Sequence, residues 1–123
     1  MNAESVLDWH EAAAWVLIGV NALAGVWALA AHRLAALRGR ALWTVVVVAN
    51  LMAFVQAVLG AILIARYDIE ADDMHALYGF SAVIAVGILY SYRTSSFMKG
   101  KELLLYGVGC LFIMGLGLRN LAL

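Results

Sequence analysis

The chain has 123 residues, of which 66% are hydrophobic and 13% charged, and its mean hydropathy is +0.94. Water-soluble domains carry about 45–50% apolar and about 25% charged residues, and a globule this small could not bury so large an apolar share. Eight bases balance eight acids and there is one cysteine, which excludes a nucleic-acid module, a disulfide scaffold and a disordered chain and leaves an integral membrane protein.

A helix that crosses a bilayer needs about 20 mostly apolar residues. Four stretches meet that requirement: residues 11–31, 41–64, 74–92 and 103–121. Little chain is left over, so a single four-span domain over residues 1–123 is expected. The first span does not read as a cleaved signal peptide, because it follows an acidic leader, exceeds an h-region in length and lacks a basic start and an A-x-A site. The connections, residues 32–40, 65–73 and 93–102, are short, and short connections set consecutive spans side by side and antiparallel. The expected fold is all-α, an up-down four-helix membrane bundle with both termini on one side.

Charge assigns the sides. Arg33, Arg38 and Arg40 occupy the first connection without an acid, and Arg93, Lys99 and Lys101 stand against Glu102 in the third. The second connection sets Arg66 against Asp68, Glu70, Asp72 and Asp73, and the leader holds Glu4, Asp8 and Glu11. Lys and Arg are retained on the cytoplasmic side. Both termini and the second connection are therefore expected outside, in a multi-pass protein of the plasma (inner) membrane, with Arg119 the one dissenting base. Trp9, Trp15, Trp43, Tyr67, Tyr90 and Tyr92 fall near the expected interfaces, where amphipathic rings settle.

Small residues are the means by which spans approach each other in lipid. Span two has Ala49, Ala53, Ala57 and Ala61 at four-residue steps, span three has Gly79 and Gly87, and span four has Gly107 and Gly115. Asn21, Asn50 and Gln56 are polar residues inside spans and need partners there. Interhelical hydrogen bonds are the plain reading, and contact with a cofactor or substrate is the other. Cys110, mid-span and alone, reads as a small packing residue.

Two histidines open alternate spans. His10 lies at the outer end of span one and His75 at the outer end of span three. Spans one and three run in the same direction, so both imidazoles are expected at similar depth on one side, placed to face each other across the bundle. Two facing imidazoles suit the two axial positions of a haem iron. Gly79 and Gly87 continue the face below His75, and Ala14, Leu17 and Asn21 the face below His10, which makes mostly apolar walls with a few polar groups. The bland alternative is a pair of interfacial rings that meet water. His32, beside Arg33, has no histidine partner on its side and reads as a solvated or headgroup contact. A zinc site would want three or four ligands, and only Glu11, Asp72 or Asp73 stand near the two histidines to supply them. No Ser-His-Asp pattern, phosphate loop or CxxC is present.

The run Gln56, Ala57, Val58, Leu59, Gly60 and Ala61, followed by a short outer connection and by His75 opening the next span, resembles one four-helix half of the heme A synthase family. His10 matches that half's first histidine by position. The resemblance covers just over half of the chain and implies a bis-histidine haem held at the outer side. The family carries an acid three positions before its first histidine, where this chain has Leu7, and many members have a cysteine pair in the outer loop that is absent here. Heme A synthase activity itself is therefore not expected, and two chains would have to associate as a homodimer to make up the two halves.

The expectation is a small membrane protein that binds haem b. Its ligands would be His10 and His75, with Gly79, Asn21 and Gln56 lining the site, and its role electron transfer with a quinone or respiratory complex, or haem handling. The alternative is a cofactor-free accessory or scaffold subunit of a larger membrane complex. A transporter or channel ranks below both, since no charge lies near the centre of any span.

Overall fold

A computed structural model describes residues 2–122, and every regular element among them is helical. The long helices are α1 (Ala3–Arg33), α2 (Arg40–Tyr67), α3 (Asp73–Tyr92) and α4 (Glu102–Ala122). Single 3₁₀ turns at Ala35–Leu37 and Ser96–Met98 lie in the first and third connections. All four helices are long and apolar enough to cross a membrane. At 1.5 Å per residue, α3 and α4 measure about 30 Å, the thickness of the hydrocarbon layer, and α1 and α2 exceed it. The chain is thus an all-α, multi-pass membrane protein.

Helix α1 starts at Ala3, well before the apolar stretch that begins at residue 11, so the acidic leader is helical. Its start has a local cause. Asn2 is the N-cap and its side chain accepts a hydrogen bond from the backbone N–H of Ser5 at 2.9 Å, while Glu4 in the first turn complements the helix dipole. The far end of α1 is closed by a base from the following connection. The Arg38 guanidinium donates to the carbonyls of Ala31 (2.7 Å) and His32 (3.0 Å), which a helix end otherwise leaves unpaired. The indole N–H of Trp27 donates to the Leu37 carbonyl at 2.9 Å and holds the same connection against α1. Helix α2 ends on Asp68 in the left-handed region (φ 54°), and the N–H of Asp68 returns to the Leu63 carbonyl.

Helix α1 packs mainly on α4 and α2, and α3 mainly on α4, so α1 and α3 lie on a diagonal of the bundle. The tightest approach is between α1 and α4. A Cβ added to Gly25 would come within 2.6 Å of Leu111 Cγ and 3.0 Å of the Gly107 carbonyl oxygen. One added to Gly107 would meet Leu29 at 2.6 Å. Both glycines are buried, and only their missing side chains let the two backbones touch. Of the small-residue stripes, Ala49 and Ala53 are buried while Ala57 and Ala61 are exposed, and Gly87 and Gly115 have open space where a Cβ would stand.

The buried core, with Ala24, Ala28, Leu42, Val46, Ala49, Cys110 and Ile113 at its centre, is largely displaced toward the end that carries the first and third connections. Trp43 and Tyr106 close it there, edge to face at 5.6 Å between ring centres. The bases of those connections gather at this end. The acids of the leader and of the second connection gather at the other.

Candidate functional site

The end of the bundle opposite that core brings together residues from all four helices. His10 comes from the second turn of α1 and His75 from the first turn of α3. Gly60 lies in the last two turns of α2, and a Cβ built on it would be 3.7 Å from Cε1 of His10. Asn120 lies in the last turn of α4, and its Nδ2 donates to the backbone carbonyl of His75 at 3.2 Å. Starts of α1 and α3 beside ends of α2 and α4 are what an up-down bundle requires.

The His10 and His75 rings meet across the diagonal, with centres 6.0 Å apart and planes inclined by 66°. A metal bonded to one nitrogen of each imidazole, at about 2 Å per bond, spaces two in-line ring centres by about 6 Å. The same distance also suits an edge-to-face ring pair, for which about 4.5–7 Å is usual. The two cases differ in what they do for His10. Its Nδ1 is buried and has no hydrogen-bond partner. A ring contact leaves that nitrogen unsatisfied, at about 1–3 kcal/mol. A bound metal centre or a donor on a ligand would satisfy this part of the molecule.

Both histidines are partly buried, and around them the walls are small or apolar: Ala13, Ala14, Gly60 and Gly79 are partly buried and Leu63 is buried. Among the described residues, no third His, Cys, Asp or Glu joins the pair in a metal-sized group. The pair therefore offers two nitrogen ligands, as the axial positions of a haem require, where a structural zinc takes four. The donor set and the orphaned nitrogen fit a haem.

The other residues singled out in the sequence fall at different depths. Gly79 lies one turn below His75, and a Cβ there would stand 4.0 Å from the Asn120 amide nitrogen. Gln56 lies one turn inward of Gly60, partly buried, with its Oε1 buried and unpartnered. Asn21 lies about 16 Å deeper than His10 along α1 at 1.5 Å per residue. It is fully buried, and its Nδ2 donates to Leu17 on its own helix (2.9 Å) and across to Ala49 of α2 (3.0 Å). That geometry gives Asn21 an interhelical packing bond, worth about 0.6–2 kcal/mol in a membrane.

No family model, curated protein or solved structure matches this chain. Its site is read from its own residues. Asn120 is the member of the site that sequence reasoning missed. It follows Arg119 at the edge of an apolar span and looks like part of a polar boundary, so the only signal would have been the antiparallel register that places the end of span four beside the start of span three.

Proposed function

We propose that this chain is a small membrane protein that binds haem b through His10 and His75 and serves electron transfer or haem handling near the outer face. The observation that carries this reading is the approach of the two imidazoles to 6.0 Å, from helices that are diagonal in the bundle. The unpartnered Nδ1 of His10 and the small residue Gly60 beside its ring support it, with Gly79 one turn from His75 on α3. A haem held there by His10 and His75 would supply a one-electron couple.

The chain's own residues have separable tasks. His10 and His75 would hold the iron, and their helices fix the rings at one depth. Ala13, Ala14 and Leu63 lie at the same end of the bundle and would limit water at the partly buried pair, which bears on a bound haem's reduction potential. Gln56, with an unpartnered buried oxygen, is placed to accept a hydrogen bond from a polar group within the bundle. The gathering of bases at the opposite end supports placing the histidine end outside, in a plasma membrane, with a quinone or a respiratory complex as redox partner.

A second reading, a cofactor-free accessory subunit, has one observation in its favour. Gly19, Gly87, Ala57 and Ala61 are exposed, and both glycines have open space around them, so small-residue notches face outward, where partner helices could seat. One experiment divides the two readings. The full chain is purified from cells grown with ample haem precursor, and its visible spectrum is recorded. A Soret band with the sharp visible bands of six-coordinate low-spin iron is expected. A colourless protein would overturn the haem reading, and a colourless protein that co-purifies with a larger membrane complex would favour the second.

A further inference from the structure

Asn120 is tied to His75 in a way that the helix itself does not need. Inside α3 the His75 carbonyl already accepts the ordinary helical bond from four residues on. The Asn120 amide adds a second bond to that oxygen's other lone pair, from a different helix, at 3.2 Å. Gly79, one turn on, lies beside the amide, with 4.0 Å from its would-be Cβ to Nδ2, an ordinary contact distance. The other end of the amide, Oδ1, is buried and has no hydrogen-bond partner among the described residues, so the His75 carbonyl is the polar contact this side chain makes there.

The tie matters because α3 is the least enclosed of the four helices. It leans chiefly on α4, and its buried residues are Ala82, Ala85 and Leu89, all well below His75. The first turn of α3 therefore has few apolar contacts to hold its depth and rotation. We infer that Asn120 is the positioning residue of the histidine pair: by bonding the His75 backbone from α4, it sets the imidazole of His75 against that of His10. The inference rests on the haem reading. Asn120 acts through the His75 backbone and not through the ring, so its loss belongs at the low end of the about 10–100-fold weakening seen when a ligand's supporting bonds are removed.

The test is a haemin titration of the full chain purified from cells starved of haem precursor, so that the site is unloaded, with the low-spin spectrum as a second readout. Asn120→Leu keeps the volume and removes the donor. Its Kd for haemin should rise about tenfold or more, with part of the iron shifting to a five-coordinate high-spin spectrum. Ser91→Ala removes a side-chain donor at the opposite end of α3, bonded to the Gly87 carbonyl at 2.8 Å, and should leave both readouts at their wild-type values. Should Asn120→Leu fail to fold, Asn120→Asp, which keeps the shape and replaces the donating NH2 by oxygen, carries the same expectation. Wild-type affinity and spectrum in a folded Asn120 variant would overturn the inference and leave the haem reading standing. A wild-type chain that takes up no haemin overturns both.

Discussion

His10 and His75 come from helices that scarcely touch, yet their rings are 6.0 Å apart. The contact is made at one end of the bundle only, above a core that lies largely toward the other. If the pair shares one iron, the two residues are unequal partners. His10 is flanked by Gly60 of α2, while His75 is held through its backbone by Asn120 of α4.

His10→Ala and His75→Ala should each convert a six-coordinate low-spin spectrum into a five-coordinate high-spin one, and the double variant should lose the pigment. Electron paramagnetic resonance of the oxidised proteins checks the change of spin state. Retention of the low-spin signal in either single variant would show that the pair is not the axial pair.

Gly107→Val and Gly115→Val should separate a packing glycine from a free one. At Gly107 a side chain drives into Leu29 and forces α1 from α4, at a cost of about 1–3 kcal/mol or more. At Gly115 a Cβ meets nothing within 4 Å, so stability should change little. Unfolding by sodium dodecyl sulfate in mixed micelles reads both. Equal destabilisation by the two would contradict the α1–α4 crossing described above.

The segregation of charge predicts a definite labelling pattern. With Cys110→Ala as background, Glu70→Cys should react with a membrane-impermeant maleimide in intact cells and Lys99→Cys should react only after lysis. The reverse pattern would put the histidine pair on the cytoplasmic side and remove the outer-face part of the proposal.

Hydropathy alone located the four spans, because about 20 apolar residues in a row have few other destinations. It did not reveal that α1 runs on beyond the span to Ala3, because the cap supplied by Asn2 to Ser5 acts through hydrogen bonds that hydropathy does not weigh. The shared depth of His10 and His75 followed from antiparallel order. Glycine spacing was a poorer guide. It drew attention to Gly87 and Gly115, which meet nothing, and passed over Gly25, which has no glycine partner in its own span and finds one in Gly107 of another. Such a pair depends on where two helices cross, and the crossing point is set by the sum of their contacts. Asn120 was hidden for the same reason.

The close fit of Gly25 against Gly107 also bears on the order of assembly. Helix α1 is made first and α4 last of the four, yet they are each other's most extensive partners. Until α4 is inserted, α1 has only α2 to lean on, and α3 lacks its main support together with the amide that holds His75. The histidine pair can therefore take its final geometry only after the fourth helix has docked, and a ligand delivered earlier would meet a half-built receptor. If the pair takes a haem, loading is in this sense a post-insertion event, timed by a helix that supplies no histidine.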